Sequence, residues 1–184
     1  MLVRKKREIT PRLYPLILSA GIILLDQAAK LAIVLAVPVG RVISVIGDFF
    51  RIIHVQNPAI GFSIGRNLNA AIRRPLFAFL PLAVVALVSL YYFFTRDEIT
   101  RFQRWCFGAL IGGGLGNYVD RIFRPAGVVD FLDFRFYGIL GMERWPTFNV
   151  ADMTLVISGI LLFISFLLPT PKKEPRKGPT GGAV

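Results

Sequence analysis

The sequence predicts an all-α polytopic membrane protein, four transmembrane helices carrying a small strand-rich subdomain on the outer face. Three observations lead there. The 184 residues are 54% hydrophobic and only 18% charged, a balance unsuited to a water-soluble domain. Four windows, about 13–36, 75–95, 104–123 and 148–169, are each long and apolar enough to cross a hydrocarbon core of roughly 30 Å. The basic residues gather at the ends of those windows rather than along them.

The first window follows Arg4, Lys5, Lys6, Arg7 and Arg12 and mimics a secretory signal. It is too long for one and runs on through Asp26 and Lys30 without a small-residue cleavage site, so it is expected to stay as a span. In the connection that follows, RVISVIGDFFRIIHVQNPAIGFSIG is rich in β-branched and aromatic residues with partial alternation. Two or three strands over about 40–66 are expected, with a turn at Gly47–Asp48. Such a half-apolar sheet would lie on the bilayer or on the helix bundle. After the second span, Arg96, Arg101 and Arg104 lead into the third, where Gly108, Gly112 and Gly116 recur every four residues. That spacing lets helix backbones approach closely. GGGLGN fits neither GxGxxG nor the Walker pattern, so the stripe reads as packing rather than a phosphate cradle. The second connection, about 124–147, carries turn signals at Pro125–Gly127 and Pro146. Beyond the fourth span, the proline, glycine and charge content of 170–184 predicts a disordered tail. Residues 1–169 form a single domain in this reading.

The positive-inside rule places both termini and the 96–104 loop in the cytoplasm, and both longer connections outside. Arg73 and Arg74, at the outer end of the second span, run against that bias. The net charge of +11 is therefore a topological signal, not a nucleic-acid surface. Cys106 is the lone cysteine and His54 the lone histidine. That inventory does not build an internal disulfide, a four-ligand zinc site or a Ser-His-Asp triad; no metal or cofactor is expected.

Ionisable residues inside a membrane are costly and mark function by default. Here they are Asp26 and Lys30 in the first span, Asp120 and Arg121 ending the third, and Asp152 opening the fourth, with Asp130 and Asp133 just beyond the third. Asp120, Asp130 and Asp152 fall near the outer face, Asp26 mid-membrane, and Lys30 one turn further out. Each has a purely structural reading. Asp26 and Lys30, four apart, could neutralise each other. Asn149 and Asp152 resemble an N-cap with an acid in the first turn, where the helix dipole favours a carboxylate. Asp120 and Arg121 could form an interfacial ion pair. Asn117, Asp120 and Arg121 share a helical face suited to supporting other groups. Against these stands one chemistry: two aspartates from separate segments sharing a proton, one of them activating a water toward an amide. Asp130 and Asp152 would supply it. A small proton-coupled transporter using Asp26 and Lys30 is the alternative, and a non-catalytic assembly factor a third.

The motifs resemble those of the lipoprotein signal peptidases, the bacterial type II signal peptidases. Asp26-Gln27-x-x-Lys30, Asn57 with Gly61-Phe62-Ser63, Gly116-Asn117-x-x-Asp120-Arg121, Val128-Val129-Asp130-Phe131 and Phe148-Asn149-x-Ala151-Asp152 follow the family's order and spacing. One departure is Asn57-Pro58-Ala59-Ile60-Gly61, with a shifted glycine and a bulkier Ile60. The resemblance implies a four-span aspartyl endopeptidase of the bacterial cytoplasmic (inner) membrane. It would cut diacylglyceryl-modified prolipoproteins on the amino side of the lipidated cysteine, with the active site near the outer face. Asp130 and Asp152 would be its catalytic dyad. Asp26, Lys30, Asn57, Gly61, Asn117, Asp120, Arg121, Asn149 and Ala151 would support it or contact substrate. Membrane lipid is its expected surrounding, nucleic acid is not a partner, and a monomer is expected.

Overall fold

The computed structural model describes residues 10–58, 69–95 and 99–168. Gly61, the departure at Ala59–Ile60 and the predicted tail at 170–184 lie outside the described residues. Four helices, α1 (Thr10–Ala36), α2 (Ala70–Phe94), α3 (Arg101–Phe123) and α4 (Val150–Leu167), carry a three-stranded antiparallel sheet, β1 (Val42–Ile46), β2 (Phe50–Asn57) and β3 (Val128–Phe134). Leu13–Ala36 and Val150–Leu167 are long and apolar enough to cross a membrane.

The helix ends depart from the apolar windows for a local reason. A helix continues until its terminal N–H groups find a cap, whether or not its side chains are apolar. At α3 the cap is Thr100, whose Oγ1 accepts from Gln103 N at 3.2 Å while Gln103 Oε1 accepts from Thr100 N at 2.8 Å. That reciprocal box starts the helix three residues before the apolar window. At α4 the same device, Asn149 with Asp152, delays the start to Val150.

α3 is the central helix and packs on each of the other three. The glycine stripe explains the closeness to α1. A Cβ on Gly108 would come 2.9 Å from Pro15 Cβ, and one on Gly112 would lie 2.8 Å from Ser19 Cα. Ser19 Oγ donates to Gly108 O across the same seam. Gly113 faces α4, where a Cβ would meet Ala151 O at 2.8 Å. Tyr92, Ile99, Phe107 and Leu162 fill the lower bundle. Leu24, Leu35, Phe79, Leu87 and Phe163 stay exposed on the helix exteriors, as side chains facing hydrocarbon do.

The first connection forms β1 and β2 around the expected turn at Gly47–Asp48. The third strand, however, comes from the second connection. Val128–Phe134 is buried on both faces for most of its length, so its sequence shows no clean alternation to mark it as a strand. β2 is central, and Arg51 lies opposite Asp133 and Val55 opposite Asp130, with a register shift between Ile52 and Val55. The sheet is fastened directly to the end of α1, since Gly40 N donates to His54 O at 2.8 Å and His54 Nδ1 lies 2.7 Å from Val37 O.

The α1–α3 seam makes a prediction. Gly112→Val should cost about 1–3 kcal/mol by overpacking and lower the thermal midpoint of the detergent-solubilised protein. Gly21→Ala, on a stretch of α1 where an added Cβ meets nothing within 4 Å, should produce no fall.

Candidate active site

The site is built on a cluster of charges with no access to solvent. Lys30 reaches from α1 to α3: its Nζ lies 2.8 Å from Asp26 Oδ2, 2.9 Å from Asp120 Oδ2 and 2.9 Å from Asn117 Oδ1. Lys30, Asp26 and Asp120 are all fully buried. Three donors thus meet three acceptors, which is what burial of an ammonium demands. Asp26 also accepts from Ala151 N at 2.9 Å, so an α1 carboxylate receives one of the unsatisfied N–H groups of α4's first turn. Asp120 further holds Val129 N at 3.2 Å and Arg124 Nη1 at 3.0 Å. The Asp26–Lys30 pair expected from spacing is present. Asp120 pairs with Lys30 and Arg124 instead of Arg121, because Arg121 turns to Asn117 O at 3.0 Å.

Amides carry that frame to the second pair of acids. Asn117 Nδ2 donates to Asp152 Oδ1 at 2.7 Å, while its Oδ1 accepts from Lys30 and from Asn149 Nδ2 at 3.0 Å. Asn149 Oδ1 caps Asp152 N at 2.9 Å, and its Nδ2 donates to Asp130 Oδ1 at 2.7 Å. Asn57 Nδ2 completes the set on Asp130 Oδ2 at 3.0 Å. Gly127 makes this last contact possible. Its φ of +102° is left-handed, and a Cβ there would collide with the backbone of Asn57 and Pro58. The capping reading of Asn149 and Asp152 holds, and the capping asparagine also bonds Asp130.

Asp130 and Asp152 line one cavity of about 720 Å³, with Asn57, Asn117 and Arg121 at its polar end. Trp145, Phe148, Leu155 and Val156 line its apolar remainder, the mix of a few convergent polar groups and apolar walls typical of a ligand site. Burial, and then the neighbouring Asp152 charge, push Asp130 up to about 7 against the opposing bonds from Asn57 and Asn149 and the charge of Lys30. Asp133, three residues on, behaves oppositely. Burial would raise it, but Arg144 and Arg51 outweigh that and hold it below the usual carboxylate range. It serves an ion-paired network at the far end of the sheet, with Arg144 Nε 2.8 Å and Arg51 Nη2 2.7 Å away.

Of the residues singled out from sequence, Asp26, Lys30, Asn57, Asn117, Asp120, Arg121, Asp130, Asn149, Ala151 and Asp152 converge here, and Gly61 is outside the described residues. Sequence reasoning quoted Gln27 within the first-span motif but gave it no role; its Nε2 lies 3.1 Å from Asp26 Oδ2, 2.9 Å from Gly116 O and 3.0 Å from Asp120 Oδ1. Its place between Asp26 and Lys30 was the available signal. Arg124 stands four residues after Asp120, a spacing that was the available signal; the Trp145–Phe148 wall had none, since the residues it faces across the cavity are distant in sequence.

A family model described as signal peptidase (SPase) II matches residues 18–168. A lipoprotein signal peptidase of Treponema pallidum (strain Nichols) is 43% identical over 171 residues, covering 91% of this chain and 91% of that protein. Another from Treponema denticola is 44% identical over 164 residues, 89% of this chain and 94% of its own length. A bacterial membrane enzyme solved by the in meso method matches with a TM-score of 0.70 and 25% identity, covering 90% of this chain and 93% of that one.

Two stability measurements separate the roles of these acids. Lys30→Met leaves two buried carboxylates short of their shared cation and should cost about 3–5 kcal/mol, seen as a large fall in thermal midpoint. Asp130→Asn should do the reverse. The folded state holds the Asp130 proton up to about pH 7, whereas an unfolded aspartate releases it near 3.9, so wild type loses stability as pH rises between those values. The midpoint of Asp130→Asn relative to wild type should therefore climb over that window and level off above it.

Proposed function

The chain belongs to the signal peptidase II family of proteases, and from that premise we propose that it removes the signal peptide from diacylglyceryl-modified prolipoproteins as an intramembrane aspartyl endopeptidase. The observation that carries the reading is the convergence of Asp130 and Asp152, from a strand and a helix, on one cavity through the same asparagine, Asn149. All four helices are taken as spans, with both termini cytoplasmic and the cavity near the outer face of the bacterial cytoplasmic membrane, and the protein acts as a monomer. Arg101 and Arg104 at one end of α3 and the sheet at the other support that orientation. At such a boundary water is available, and a lipid-anchored substrate can arrive from the side along the apolar wall of Leu155 and Val156.

In this mechanism Asp130 begins protonated and Asp152 ionised. Asp152 takes a proton from a water as its oxygen attacks the carbonyl carbon preceding the lipidated cysteine, and Asp130 gives its proton to the carbonyl oxygen. The tetrahedral intermediate collapses as Asp152 returns its proton to the leaving cysteine nitrogen and Asp130 recovers one from a hydroxyl. The C–N bond breaks, and both acids end as they began. Arg121 and Asn57, on the cavity lining, orient the substrate backbone, and Asn117 and Asn149 hold the two acids in place. Lys30 and Asp26 have no place in transport here, because every donor of the ammonium is taken by a buried acceptor.

Purified protein should release a signal peptide, detected by mass, from diacylglyceryl-modified prolipoprotein and not from the unlipidated form. Asp130→Asn and Asp152→Asn should each abolish release; cleavage by either variant would sink the dyad. kcat/KM should fall as pH rises through about 7, where Asp130 gives up its proton. The Asn57 bond favours the ionised form, so Asn57→Leu should move that limb to higher pH, and a limb that stays put would detach it from Asp130.

A further inference from the structure

Between β3 and α4 the chain forms a hairpin extension that meets the cavity only at its base, through Trp145. Trp145 N donates to Phe134 O at 2.9 Å, Phe136 N to Glu143 O at 2.8 Å and Gly138 N to Met142 O at 3.0 Å. Its tip is unusual in two ways. Tyr137 and Leu140 have φ of 53° and 55°, left-handed values that side chains of this kind rarely adopt. Tyr137, Ile139 and Leu140 are nonetheless 63%, 59% and 79% exposed. The strained turn thus presents largely exposed apolar side chains outward.

Arginines stand at the base of the tip. Arg135 lies over the Tyr137 ring, 5.1 Å from its centroid, and pairs with Glu143 and Asp48. Arg144 pairs with Asp133 and Asp48. Exposed Phe49 and Ile46 extend the apolar surface from the neighbouring turn, where Arg135 N donates to Phe49 O. An apolar tip, an aromatic ring and guanidinium groups in that order match the layers of a membrane interface.

We propose that the Tyr137–Leu140 tip inserts into the outer leaflet of the membrane that holds the helices, with Arg135 and Arg144 at the level of the lipid phosphates. The bilayer is the occupant because the sheet is bonded straight onto the end of α1 through Gly40, His54 and Val37, leaving no linker to lift it away. The hairpin continues β3, so the depth of the tip fixes the height of Asp130 above the lipid.

The buried Cys106 can be replaced with alanine and a nitroxide attached to a Leu140→Cys variant, in vesicles of phosphatidylcholine and phosphatidylglycerol. Collisions should be more frequent with oxygen than with a water-soluble nickel chelate, the reverse of a label at Glu143. A label at Leu140 that behaves like the one at Glu143 overturns the proposal. So does label–label broadening that rises with protein density, which would make a second copy the occupant. Leu140→Asp should lower cleavage in vesicles and leave the rate in detergent unchanged. Equal falls in both media, or no fall in vesicles, would overturn the positional role.

Discussion

The fold depends on one buried ammonium. Lys30 cannot be left in an apolar bundle without compensation, since an unpaired charge there costs several kcal/mol. Asp26 and Asp120 provide the compensation from two different helices. Two carboxylates against one ammonium would themselves be unbalanced, and Arg124 on Asp120 restores neutrality. Because no partner can leave without stranding the others, α1, α3 and the start of β3 are locked at one level. The glycine seam between α1 and α3 is then a requirement of the same contact: with side chains at Gly108 and Gly112 the two backbones could not come this close, and one at Gly116 would press on the Asp26 carboxylate.

From that frame the acid pair is reached through neutral amides alone. Asn117 bonds the ammonium with its oxygen and Asp152 with its nitrogen, and Asn149 links the cap of α4 to Asp130. An amide presents a fixed donor and a fixed acceptor without adding charge. Lysines in these places would hold both acids permanently ionised, whereas amides leave room for a proton to reside on one of them. The site thus separates two electrostatic tasks. Full ion pairs supply rigidity in the frame, and uncharged hydrogen bonds leave the acids able to titrate.

Much of this was legible in the chain. Hydropathy and basic flanks marked the helices because lipid exposure leaves long apolar runs, and Asp26–Lys30 and Asn149–Asp152 were legible because their geometry is local, at spacings of four and three residues. β3 was not. Val128–Phe134 is covered on both sides and alternates poorly, and its partner β2 lies more than 70 residues away. The switch of Asp120 from Arg121 to Lys30 was hidden for the same reason, since a helical neighbour is the default partner until the fold supplies another. The helix starts were displaced by caps, and Thr100-x-x-Gln103 was in plain view for one of them.

The proton's place in the proposed dyad follows from where each acid is mounted. Asp152 sits in the first turn of α4 and accepts from the backbone N–H of Asn149 as well as from Asn117, and the helix dipole adds a partial positive charge there. Asp130 lies on a strand, where no such dipole acts, and among the described residues accepts from two side-chain amides. Two carboxylates on one small cavity with Arg121 as the adjacent cation are neutral only when a single proton is shared between them. Burial and its neighbour push Asp130 up to about 7, which supports the proposed assignment of the shared proton to Asp130 and of the base to the helix-mounted Asp152. Such a pair titrates as a unit, and in the proposed mechanism its mounting sets the resting member: the strand keeps the acid that gives a proton, and the helix end keeps the one that takes it.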